Sequence, residues 1–211
     1  MGDETPSVLI VDDDPDFRGS VARLLRTIGL QTREFSSVSN FLSADPSGGP
    51  ACLVLDVRMP GGSGLELQRE LAAANWQVPI IFITAHADVP MTVQAMKGGA
   101  MEFLTKPFRD QDLIEAVQAG LARDRARRER EETIAGLRER LDTLSPRERD
   151  ILLQVMAGRL NKQIASDMGI AESTVKVHRT NLMRKMKARS LPELSRMVGV
   201  LDLMPQQHPS A

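Results

Sequence analysis

Four positions along the chain place reactive side chains at the ends of short apolar runs. Asp12, Asp13 and Asp14 follow Val8–Val11, and Asp56 follows Leu53–Leu55. Thr84 closes a third run that begins at Ile80, and Lys106-Pro107 follow Phe103–Leu104. If these runs are neighbouring parallel strands, all four positions lie along one sheet edge, where carboxylates, a hydroxyl and an ammonium converge. Carboxylates so close together repel one another, and a divalent cation relieves that repulsion. An oxygen-only ligand set suits Mg²⁺, which takes few protein ligands and keeps waters. A metal-neutralised aspartate can attack a phosphoryl group and carry it as an acyl phosphate. A hydroxyl and an ammonium beside it then hold the transferred oxygens. Each residue also has a plainer explanation, since aspartate after a strand commonly makes a turn and Asp14-Pro15 can simply start a helix. The joint arrangement is far more specific than any one of its parts.

The elements that would carry these residues are legible up to about residue 120. A weaker strand near Gln31–Phe35 joins the four runs, and five strands this short and apolar read as buried on both faces. Amphipathic stretches separate them: Pro15–Ile28, Val38–Leu42, Ser63–Ala74, Val89–Lys97 and Asp110–Leu121. Strands alternating with helices predict an α/β fold, a five-stranded doubly wound parallel sheet, over residues 1–122.

No strand signal follows. Arg123–Glu132 is charged and continues the preceding helix as a solvated linker within residues 123–143. Ile134, Leu137, Leu141 and Leu144 recur at heptad-like spacing, a stripe that packs either on a neighbouring domain or on a second copy. Residues 144–204 read as an all-α domain of four short helices, and residues 205–211 as a disordered tail. Ser145-Pro146-Arg147-Glu148 starts the first helix with a capping box. Asn161–Met168 is stopped by Gly169, and a basic helix runs on to about Met186. Two helices about a tight glycine turn, the second one basic, form a helix-turn-helix pattern of the kind that reads duplex DNA. On the basic helix Val175, Leu182 and Met186 face the core by spacing.

The charge distribution agrees with two partners for the two ends. Residues 1–122 carry a net charge of −7, residues 123–140 one of +2 and residues 141–211 one of +4. The N-terminus has no signal-peptide pattern and no apolar run reaches membrane-spanning length, so no membrane partner is predicted. A single cysteine, Cys52, excludes an internal disulfide, fits a cytoplasmic location and reads as a packing residue.

The segments Val11-Asp12-Asp13-Asp14, Leu55-Asp56-Val57-Arg58-Met59-Pro60-Gly61, Thr84-Ala85 and Lys106-Pro107-Phe108 resemble a two-component receiver domain. Leu144–Glu148, Asn161–Ala165 and Ser173–Arg179 resemble the LuxR-type helix-turn-helix, and the whole chain is similar to the FixJ class of response regulators. This resemblance implies Asp56 as phosphoacceptor, with Asp12, Asp13 and the backbone carbonyl of Arg58 helping to hold Mg²⁺. It implies Thr84 and Lys106 as the groups that sense the phosphoryl, and Phe103 as the aromatic switch. It places the basic helix in the major groove, with Thr174, Lys176, Val177, Thr180, Asn181 and Arg184 facing the bases. Asn161, Lys162, His178 and Arg179 complete the contact set. The implied partners are a sensor histidine kinase, a palindromic duplex operator and a second copy of the chain, joined on phosphorylation through the fourth helix, fifth strand and fifth helix. The implied role is regulatory rather than enzymatic; the alternative is a phosphotransferase or phosphatase that uses Asp56 on small molecules. The sequence departs from the family pattern at Gly62, which follows Gly61 and loosens that loop, and at Leu160, which leaves Asn161 to cap its own helix.

Overall fold

β1 (Ser7–Val11), β3 (Ala51–Asp56) and β6 (Ile80–Thr84) consist almost wholly of apolar residues and supply side chains to both faces of one sheet. The structure is a computed structural model and describes residues 5–44, 48–60 and 62–201. β2 (Gln31–Phe35) and β7 (Glu102–Thr105) form the edges, giving the order β2-β1-β3-β6-β7 with every pairing parallel. Alternate residues feed two cores. Leu9, Leu53, Leu55 and Phe82 pack on one face; Val8, Ile10, Val54 and Ile81 pack on the other.

The helices between the strands are α1 (Pro15–Thr27), α2 (Val38–Leu42), α3 (Gly64–Ala73), α4 (Val89–Lys97) and α5 (Asp110–Asp142). Their starts are fixed by side chains: Asp14 caps α1, and Ser63 with Glu66 closes a capping box on α3. The strand order reverses direction between β1 and β3. In such folds the crevice that takes a ligand opens there, outside the carboxyl ends of the strands.

The sequence pattern did not reveal a short antiparallel pair, β4 (Arg58–Met59) with β5 (Gly62–Ser63), just past Asp56. It folds the loop back so closely that a Cβ on Gly64 would overlap the Asp56 carbonyl oxygen.

The chain divides into two compact units, residues 1–128 and 129–211, and α5 runs through the division. Asp124 corrects the expectation of a wholly solvated linker. It is only 1% exposed, accepts the Ala51 amide at the head of β3, and pairs with Arg127 and Arg128.

The second unit contains α6 (Pro146–Met156), α7 (Asn161–Met168), α8 (Glu172–Met186) and α9 (Leu191–Val200) around Ile151, Ile164, Val175, Leu182, Met186 and Leu194. Gly169 ends α7 at φ 63°, the left-handed turn that lets α8 start three residues later. Leu141 and Leu144 pack into this core, so that part of the leucine stripe is used within the unit. Asn161 does not cap α7. Leu160 holds the cap position, and Gln163 Oε1 accepts its amide at 2.8 Å. The expectations for Gly61 and for residues 202–211, including the tail, lie outside the described residues. No helix among the described residues is long and apolar enough to cross a membrane.

Candidate functional site

Strand register alone brings the first two carboxylates together. Val11 lies opposite Leu55 in the β1–β3 ladder, so Asp12 and Asp56 each stand one step beyond that pair. Carboxylate oxygens of Asp12, Asp13 and Asp56 lie within 4.8 Å of one another. Lys106, next after β7, reaches across to both strands: its Nζ is 2.8 Å from Asp12 Oδ2 and 3.2 Å from Asp56 Oδ2.

Backbone amides fix the free oxygens. Asp14 N donates to Asp12 Oδ1 at 2.9 Å, and Arg58 N donates to Asp56 Oδ1 at 3.0 Å. Arg18 Nη1 donates to the Asp12 carbonyl at 2.6 Å. Asp12 is 2% exposed, and burial pushes its carboxyl above the ordinary value while the Lys106 hydrogen bond pulls it back. Asp13 is exposed at the mouth of the pocket. Three carboxylates against one ammonium leave a net negative, oxygen-only site, and this donor set fits a hard divalent cation.

Thr84 is buried at the end of β6; its Oγ1 accepts the His86 amide at 3.3 Å and its carbonyl accepts the Lys106 amide at 2.8 Å. Phe103 is half-buried on β7, its ring tilted against Phe82 at 6.1 Å. Phe17, a residue the sequence reading passed over, presents its ring to Lys106, with the ammonium 3.5 Å from the centroid. No spacing rule links α1 to the segment after β7, so only the folded chain reveals this contact.

In the second unit α8 turns Val175, Leu182 and Met186 inward. Thr174, Lys176, Val177, Thr180 and Arg184 are exposed, as is Lys162 on α7. His178, Arg179 and Asn181 are half-buried. Val177 is 59% exposed although apolar. Lys176 pairs loosely with Glu172 at 3.2 Å, one turn back along the helix. Arg179 Nη1 donates to Asn161 Oδ1 at 2.6 Å, tying α8 to the start of α7. Lys185 is not part of a solvated face. It donates to Glu148 Oε2 at 2.6 Å and to the Thr143 carbonyl at 2.9 Å.

Comparison with known proteins matches both units. Residues 8–118 match the response regulator receiver domain, and residues 142–198 match the bacterial regulatory proteins of the luxR family. Nodulation protein W of Bradyrhizobium diazoefficiens is 50% identical over 93% of this chain and 86% of its own length. The transcriptional regulatory protein FixJ of Rhizobium meliloti is 45% identical over 90% of this chain and 94% of its own. The solved structure of the response regulator StyR superposes with a TM-score of 0.85 at 47% identity, covering 92% of this chain and 98% of that one. Receiver motif, helix-turn-helix and whole-length similarity agree: the chain belongs to the response regulators that join a receiver domain to a LuxR-type DNA-binding domain.

Proposed function

We propose that Asp56 accepts a phosphoryl group from a sensor histidine kinase and that this modification strengthens DNA binding by the second unit. The observation that carries the reading is the Lys106 ammonium shared between Asp12 and Asp56. It marks Asp56 as a carboxylate beside a cation that can move to a newly arrived oxygen. Asp12, Asp13, Asp56 and the Arg58 carbonyl would hold Mg²⁺, which when bound neutralises the carboxylates and the incoming phosphoryl oxygens.

The chain's own residues do the rest. Arg58 N holds Asp56 Oδ1, which leaves Oδ2 to attack. Lys106 releases that oxygen and binds one on the phosphoryl, and Thr84 turns its hydroxyl towards another. Thr84 then leaves space into which Phe103 moves, which changes the face made by α4, β7 and α5. On α4, Val89 is 76% exposed, and Val93 and Met96 stand out with it. Such apolar exposure favours a second copy as partner.

Pairing two chains presents two α8 helices to one duplex, so the operator is palindromic. Thr174, Lys176, Val177, Thr180, Asn181 and Arg184 meet base edges, while Lys162, His178 and Arg179 meet phosphates. Fluorescence anisotropy of a labelled duplex, with and without acetyl phosphate and Mg²⁺, tests this. Affinity should rise on phosphorylation, and unchanged affinity after full labelling would contradict the reading. A small-molecule phosphotransferase would instead turn over many esters per chain.

A further inference from the structure

The Lys106 ammonium has three N–H donors, and two are taken by Asp12 Oδ2 and Asp56 Oδ2. On its remaining side stands the ring of Phe17, with the centroid 3.5 Å from Nζ, well inside cation–π range. The ring is held from two directions. Asp14 Oδ1, which caps α1, accepts the Phe17 amide at 3.2 Å, and Phe108 packs edge-to-face against the ring at 6.1 Å and 89°. Asp14 N is itself bonded to Asp12 Oδ1, so one run of hydrogen bonds connects the acidic pocket to the backbone of the residue whose ring faces its cation.

We propose that Phe17 is a positioning residue for phosphoryl transfer, its π face holding Lys106 opposite the attacking carboxylate. The proposal rests on Asp56 being the phosphoacceptor. In the transfer an Asp56 oxygen forms the bond to phosphorus, and the bond from phosphorus to the donor oxygen breaks. With acetyl phosphate, acetate departs with that electron pair. During this step the ammonium must swing from Asp56 Oδ2 to a phosphoryl oxygen. A lysine chain is long and flexible, and Lys106 retains some contact with solvent. The ring offers an attractive wall without a hydrogen-bond acceptor, so the ammonium pivots against it and is not drawn out to water.

The test is the initial rate of Asp56 labelling by acetyl phosphate in the full chain, with Mg²⁺ present. Phe17→Leu keeps an apolar side chain but removes the π face, and should slow labelling by about three- to tenfold. Phe17→Tyr should restore most of the rate. Mono-, di- and trifluorinated phenylalanine at position 17 keep the ring's shape while draining its face of charge. The rate should fall stepwise along that series while the melting temperature stays level. A flat series, or equal losses in the Leu and Tyr variants together with a lowered melting temperature, would overturn the proposal. Absence of label at Asp56 in the parent chain would overturn the phosphoacceptor reading and this inference with it. Normal parent labelling with a flat series would sink this inference alone.

Discussion

Arg179 on α8 and Asn161 at the first turn of α7 are joined by a 2.6 Å hydrogen bond from Nη1 to Oδ1. The bond crosses the turn of the helix-turn-helix and fixes the direction of a guanidinium beside the proposed DNA face. On the proposed reading, Asn161 would act on DNA through Arg179. Asn161→Ala should weaken duplex binding by about 1 kcal/mol. Most of that loss should vanish in an Arg179→Ala background. A double-mutant cycle in anisotropy checks it; additive losses would show two independent contacts.

Glu148 should make the second unit sensitive to acid. Its carboxylate is 4% exposed, and the Lys185 hydrogen bond, followed by the Ser145 amide, holds its carboxyl below the ordinary value. A depressed folded value means the ionised form stabilises the fold above the unfolded value near 4.3, and that stabilisation is lost as pH falls through the lower, folded one. Glu148→Gln should cost on the order of 1–3 kcal/mol at neutral pH. It should also flatten the decline in stability below about pH 5. Urea unfolding at several pH values measures both.

Much of this site was legible in the sequence because strand ends in a parallel sheet share one edge. Once Val8–Val11, Leu53–Leu55 and Ile80–Ile83 are strands, Asp12, Asp56 and Thr84 have to converge. The inward set on α8 followed in the same way from helical spacing, and Val175, Leu182 and Met186 are buried. Contacts between side chains far apart in sequence were not legible. Phe17 meeting Lys106, Asn161 meeting Arg179 and Asp124 meeting the Ala51 amide depend on how elements pack, and no local period encodes them. Asp124 was read as solvated because its neighbours are charged, yet two of those neighbours are the arginines that pair with it inside the fold.

Asp13 is the exposed member of the carboxylate cluster, so its removal should disturb the metal site more than the fold. Asp13→Ala should lower Mg²⁺ affinity at least about tenfold, in line with loss of one charged ligand. Titration calorimetry is the appropriate probe. Trp76 lines a cavity with Val78 and Pro79, ahead of β6, whereas the acidic pocket lies at the carboxyl ends of the strands, so its fluorescence is a poor reporter. Equal affinity in parent and variant would remove Asp13 from the ligand set.

Val93 on α4 is exposed and apolar, and the proposed pairing face includes it. Val93→Glu should leave Asp56 labelling intact and abolish the phosphorylation-dependent shift in sedimentation, because two like charges would meet across a two-fold interface. An undiminished shift would move the pairing surface elsewhere on the receiver.

Every proposed step depends on phosphorylation of Asp56. Its most direct measurement is site mapping by mass spectrometry after treatment with acetyl phosphate and Mg²⁺, on the parent chain and on Asp56→Asn. The parent should gain one phosphoryl group per chain, borne on the peptide that contains Asp56 and labile to base as an acyl phosphate is. Asp56→Asn should gain none, since an amide cannot form the mixed anhydride. Equal incorporation in the two chains, or a stable phosphate on another residue, would contradict the account.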